Sequence, residues 1–211
     1  ALVWEEHFEG PLNRSRWNVL EGVHRGGVYT ADNVAVVGGA LRLGTVARNI
    51  TLPTGEAFYV ASGAVNTSGR LEQRLGRWEV VVKLPKPAQS PGYLLHSSIW
   101  LYDAQANKER TGCPQEIDVV EQYMAGGVPM SRATANVHPF NGSRHIGDGE
   151  CTKVANNADG STSLDGDWTT NWTTFTVDWT EDWVAMQLNG QPYALFRPVG
   201  GLSDPLFLAL T

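Results

Sequence analysis

The chain has 211 residues, 42% hydrophobic and 18% charged, with a net charge of −6 and a pI near 5.3. This length and apolar content suit one domain with a full core and exclude a disordered chain. The acidic balance argues against nucleic acid or acidic membranes as partners, and no apolar run approaches the ~20 residues of a helical membrane span.

Along the chain, short segments rich in Val, Leu, Tyr and Trp recur between clusters of Gly, Asn, Pro and Asp. Strands are expected at residues 40–46, 77–84, 98–102, 116–123, 133–138, 173–179, 183–188 and 193–197. Asn189-Gly190, between the last two, is a hairpin turn signal. No repeat, linker or amphipathic helix interrupts the pattern, which points to an all-β fold of two packed antiparallel sheets. Two polar loops, 103–115 and 141–172, are longer than connections in a compact domain usually are, as functional loops tend to be.

Residues 116–121 read Glu-Ile-Asp-Val-Val-Glu. At ~100° per residue in a helix the three acids would scatter around the axis. In a regular strand Glu116 and Asp118 share a face and Glu121 points to the other. One extra residue bulged at Val119–Val120 would return Glu121 to the face of its companions. Carboxylates beside apolar side chains lose hydration, which disfavours their charged form. Such a wall suits glycoside hydrolysis, where one carboxyl protonates the leaving oxygen and a second attacks the anomeric carbon or activates water. A pair about 5–5.5 Å apart leaves no room for that water and acts with retention. The alternatives are a solvated acidic edge or a divalent-metal cluster. Metal loops carry Asp, Asn and Gly rather than large apolar residues.

These residues also resemble glycoside hydrolase family 16, the laminarinase, lichenase and agarase group, nearly end to end. Leu2-Val-Trp-Glu-Glu-His-Phe-Glu-Gly10 with Arg16-Trp17-Asn18 looks like the family's opening strand. Tyr29-Thr-Ala-Asp-Asn33, Gly39-Ala-Leu-Arg-Leu43, Ser62-Gly63 and the segment from Gly76 to Pro85 resemble later landmarks. The resemblance implies a concanavalin A-like jelly roll with the catalytic strand on the concave sheet of a single catalytic domain, 1–211. It assigns Glu116 as nucleophile, Asp118 as its helper and Glu121 as acid/base. Trp100 and His138 resemble groove residues of the family, and Asn33 resembles an asparagine that reaches sugar. Tyr123 shares the face of Glu121 if the strand continues. Trp168 and Trp172 are candidate platforms at the groove edge, since sugar C–H faces pack on aromatic rings. Trp17, Trp78 and Trp183 are expected in the core, and His7, His24, His96 and His145 carry no pattern that suggests a zinc site.

The resemblance further implies no cofactor for catalysis and a structural calcium, with Glu9 and the Gly39 carbonyl as two ligands. A third ligand would come from a C-terminal strand. The chain ends in the apolar run Leu208-Ala-Leu-Thr211, so one or more closing strands are expected to be missing or carried on a separate segment. The start at Ala1, without a basic-then-apolar leader, is expected of a mature secreted protein. A disulfide between Cys113 and Cys151 would close a long loop; two buried thiols are the alternative. Sequons at Asn13, Asn49, Asn66, Asn141 and Asn171 suit a secreted glycoprotein.

The expected activity is that of a monomeric, endo-acting, retaining β-1,3-glucanase of the laminarin type. Ala64 stands where laminarinases often carry a larger polar residue. A galactan hydrolase of the agarase or porphyranase kind, a transglycosylase and a β-glucan-binding protein without turnover are the competing readings.

Overall fold

The computed structural model describes residues 1–24, 27–84, 96–103, 115–123, 133–138, 171–197 and 202–211. The described residues hold sixteen strands, one 3-10 turn (Ala31–Asn33) and no α-helix. Contacts divide the chain into two compact units, Ala1–Leu71 with Ala209–Thr211, and Glu72–Leu208.

The first unit contains β1 (Asn18–Val19), β2 (Gly22–His24), β3 (Gly27–Tyr29), β4 (Val34–Val37), β5 (Ala40–Leu43), β6 (Thr45–Thr51), β7 (Ala57–Ser62) and β8 (Val65–Asn66). One sheet has the order β2-β3-β7-β6, and β4 and β5 form a hairpin. The segment 40–46, expected as one strand, is two. Gly44 marks the break: its N–H donates to the Asn33 carbonyl and its carbonyl accepts from Gly63 N–H, both at 2.8 Å. A Cβ on Gly63 would lie 2.2 Å from the Asn33 carbonyl oxygen, so the backbones meet only because residue 63 has no side chain.

The opening segment differs from the expectation of a strand, for residues 1–9 join no ladder. Trp4, Glu6 and Phe8 are half-buried between exposed neighbours, which is the alternation of a strand. The backbone breaks the run. His7 and Phe8 N–H groups both donate to the Glu6 carboxylate, at 3.1 and 3.2 Å, and Phe8 adopts a φ of 54°. Aromatic contacts hold the segment instead: Trp4 meets Trp17 edge-on at 5.5 Å, and the Arg16 guanidinium lies 4.4 Å from the Trp4 ring centre.

The second unit contains β9 (Gly76–Val82), β10 (His96–Asp103), β11 (Glu116–Tyr123), β12 (Ala133–His138), β13 (Thr173–Trp179), β14 (Val184–Leu188) and β15 (Gln191–Phe196). The last strand, β16 (Leu206–Leu210), contributes its first three residues to this unit. Here the strands run β16-β10-β11-β12 in one sheet and β15-β14-β13-β9 in another. Their inner faces pack on each other, with β11 over β13. Ile99, Leu101, Ile117 and Val137 in the first sheet and Phe175, Val177 and Met186 in the second are all buried. The β14–β15 turn is the expected Asn189-Gly190, both with positive φ (48° and 77°) as a type I′ turn requires. Trp17 and Trp78 are core residues as expected. Trp183 is not, remaining 37% exposed. It closes the corner before β14, where its N–H donates to Thr180 Oγ1 at 3.1 Å.

Candidate active site

Strand β11 lies between β10 and β12, and pairing is regular on both sides of one irregularity. Against β10, Trp100 pairs with Asp118 and Ile99 with Val120, so Val119 has no opposite residue. Against β12, Asn136 pairs with Asp118 and Thr134 with Glu121, again leaving one extra residue on β11. The bulge expected at Val119–Val120 is therefore present, and it returns Glu121 to the face of Glu116 and Asp118.

Side chains from β12 confirm the shared face. His138 Nε2 lies 3.0 Å from Asp118 Oδ2, and Asn136 Nδ2 donates to Glu121 Oε2 at 3.3 Å. Asp118 and Glu121 are 3% and 8% exposed, and burying carboxyl groups this far is costly unless they are hydrogen-bonded. His96 opens β10, and its Nε2 lies 3.1 Å from Glu121 Oε1 and 3.0 Å from Ser98 Oγ. Both oxygens of Glu121 are thus engaged from neighbouring strands. Glu116 is half-buried and pairs with Tyr102 on one side and His138 on the other.

Two supports lie behind this wall. The bulge frees the Val119 carbonyl from the ladder, and the Tyr193 hydroxyl of β15 donates to it from the opposite sheet. Burial pushes the Tyr193 phenol far above its ordinary range. Immediately before the strand, the fully buried Gln115 is clamped at both ends of its amide. Its Nε2 donates to Ser203 Oγ at 3.0 Å and Asp204 Oδ2 at 2.8 Å. Its Oε1 accepts from the N–H groups of Ser203 and Asp204, at 2.7 and 3.2 Å.

No family model matches the chain, and comparison with curated proteins finds no match. Solved structures do match. The laminarinase catalytic domain of Thermotoga maritima aligns over 100% of this chain and 85% of its own, at 21% identity and a TM-score of 0.71. Porphyranase B of Zobellia galactanivorans aligns over 97% and 77%, at 18% identity and 0.71. A non-specific endo-β-1,3(4)-glucanase from family GH16 aligns over 100% and 79%, at 22% identity and 0.69.

The chain has the fold of these structures, a jelly-roll β-sandwich.

On this fold the remaining candidates fall in different places. Trp100 projects from the face of the acids; its indole N–H is buried without a hydrogen-bond partner, and its ring meets Tyr102 edge-on at 5.1 Å. Tyr123 continues β11 and pairs with His96. Trp172, just before β13, is 57% exposed, with Lys83 Nζ 5.6 Å from its ring centre. Asn33 belongs to the first unit, where its Nδ2 donates to Thr30 Oγ1 at 2.9 Å and its carbonyl receives Gly44. Glu9 and Gly39 line one open depression of about 500 Å³ in the first unit. Glu9 is the single carboxylate of that lining, whereas calcium takes six to eight oxygens, so carbonyls and water would have to supply the rest. Asn13, Asn49 and Asn171 are exposed, while half-buried Asn66 accepts from Asn18 Nδ2 at 2.9 Å. Trp168, Cys113, Cys151 and Asn141 lie outside the described residues.

Sequence reasoning missed His96, Ser98, Asn136, Gln115 and Tyr193. Three of them carried a usable signal. Ser98 and His96 precede Trp100 by two and four positions, and Asn136 precedes His138 by two. Period-two spacing from a residue already placed on the face predicts each of them. Gln115 and Tyr193 depend on partners 88 and 74 residues away in the chain, which no local pattern reveals.

Proposed function

We propose that the protein is a retaining, endo-acting glycoside hydrolase of β-linked polysaccharide, with β-1,3-glucan of the laminarin type as its substrate. The observation that carries this reading is the bulge that brings three carboxyl groups, two of them buried and hydrogen-bonded, to one face of β11. Glu116 is the nucleophile and Glu121 the acid/base, with Asp118, backed by His138, between them. Glu121 protonates the leaving oxygen as Glu116 forms a bond to the anomeric carbon. Water, deprotonated by Glu121, then releases the sugar with its original configuration. The unspent indole N–H of Trp100, on the same face, is suited to a sugar hydroxyl. Trp172 offers an exposed ring for a sugar face.

The reading includes secretion, with glycans on the exposed sequons, and a structural calcium on Glu9 and Gly39 that takes no part in the chemistry. A galactan hydrolase is the second reading, favoured by the likeness to porphyranase B. Reducing-sugar release from laminarin, lichenan, agarose and porphyran separates the two, and silence on all four favours a glucan-binding protein. Glu116→Gln is expected to abolish turnover and form no covalent glycosyl adduct. A covalent sugar trapped on that variant would contradict the assigned roles.

A further inference from the structure

The strand that faces the acid/base brings a histidine to it. His96 pairs across the ladder with Tyr123 and shares its face with Ser98 and Trp100. Its side chain is 30% exposed and that of Glu121 11%. The two carboxylate oxygens of Glu121 meet different chemistry. Oε2 receives the Asn136 amide N–H, whose polarity is fixed. Oε1 meets an imidazole nitrogen that either carries a proton or offers a lone pair.

A retaining cycle asks Glu121 to be protonated in its first half and ionised in its second. With both oxygens facing donors, the ionised form gains most, since hydrogen bonds to a charged acceptor are the strong ones. We infer that His96 is a positioning residue for the acid/base: its Nε2–H donates to Oε1 of ionised Glu121 and holds the base form needed for deglycosylation. This inference rests on reading Glu121 as the acid/base. Ser98 Oγ, 3.0 Å from the same nitrogen, then accepts a share of that N–H, since a protonated Nε2 has no lone pair to receive the hydroxyl. Among the described residues, the other ionisable groups on this face are Glu116 and Asp118 of β11, His138 of β12 and Tyr102 of β10, which pairs with Glu116. His138 is committed to Asp118, at 3.0 Å, so His96 is the histidine that answers to Glu121.

The sign follows directly. A donor to the carboxylate lowers the pH at which Glu121 loses its proton, so deleting that donor raises it. In His96→Phe, the alkaline limb of the kcat/KM profile is expected to move up by about one pH unit. In the same variant kcat is expected to fall on the acid side, where the base form is scarce. His96→Gln presents an N–H donor at a similar reach, and its limb is expected to stay near that of wild type. A carboxyl-labelled glutamate NMR titration of the same proteins, with Glu121→Gln to assign the signal, reads the coupling without any turnover. The expected result is an upward shift of the Glu121 midpoint in His96→Phe that matches the kinetic limb. An unmoved or lowered midpoint overturns the inference, even if activity drops. A midpoint that moves while the kinetic limb does not overturns the catalytic role. Wild-type protein that cleaves none of the polysaccharides overturns the hydrolase reading, and the titration still decides whether His96 and Glu121 are coupled.

Discussion

Two glutamines flank the acidic segment, both fully buried, and the same substitution should act on them with opposite sign. Gln115 has four hydrogen bonds to its amide. Gln122 has none at either end. Replacing Gln115 by Leu strands two backbone N–H groups, each costing about 1–3 kcal/mol, so the variant should lose about 2–6 kcal/mol. Gln122→Leu removes a buried amide that gains nothing in return and should stabilise by about 1–2 kcal/mol. Urea midpoints read both, and equal signs would refute the bonding pattern. Tyr193 adds a dependence on pH. Burial raises its folded-state pKa above the ordinary value, so the folded state keeps a proton that the unfolded chain loses above about pH 10. The stabilisation is complete below that pH and declines as pH rises through it toward the folded-state pKa. Tyr193→Phe leaves the Val119 carbonyl unpaired, costing about 1–3 kcal/mol at neutral pH. Its stability should then fall less steeply between pH 9 and 11 than that of wild type, in urea titrations at each pH.

Strands β11, β12 and β13 occur at the bounds the sequence predicts because their apolar and polar residues alternate and turn-formers flank them. The opening segment shows the opposite case: the resemblance marks it as a strand and its burial alternates at Trp4, Glu6 and Phe8, but no ladder forms where backbone donors are diverted to Glu6. Alternation reports which side chains are buried and is silent about which backbone groups find a partner. The bulge was legible because three acids with this spacing share a face only if one residue is extra. Its anchor, the Tyr193 hydroxyl, was not, because sheet-to-sheet contacts leave no periodic trace. A deletion tests the element directly. Val119 has no pairing partner on either side, so removing it should restore a regular ladder with Asp118 and the second glutamate two positions apart on one face. The deletion protein is expected to fold, judged by circular dichroism, and to retain measurable turnover. Glu121→Gln should fold equally well and lose turnover. A deletion protein that folds but is as inactive as Glu121→Gln would show that the bulge itself, rather than the facing of the acids, is what catalysis needs.

For the whole molecule, charge decides which polymer can approach. The sulfated galactans, of which porphyran is one, differ from laminarin in this respect, since they are anionic whereas laminarin, like agarose, is neutral. A protein with a net charge of −6, and with three acids on its candidate site wall, repels an anionic chain over roughly a Debye length. That length falls from about 30 Å at 0.01 M salt to about 3 Å at 1 M. Turnover of a sulfated polymer should therefore rise severalfold in kcat/KM across this range, through faster encounter, while kcat changes little. Laminarin carries no charge to screen, so its kcat/KM should stay within about twofold over the same range. The comparison is informative even where both polymers are cleaved, because it measures the field at the site rather than the fit of the sugar. A sulfated substrate whose kcat/KM falls as salt is added would require a cationic surface in its path. That surface would have to come from residues beyond the acidic face of β11, and it would turn the substrate assignment toward the galactans.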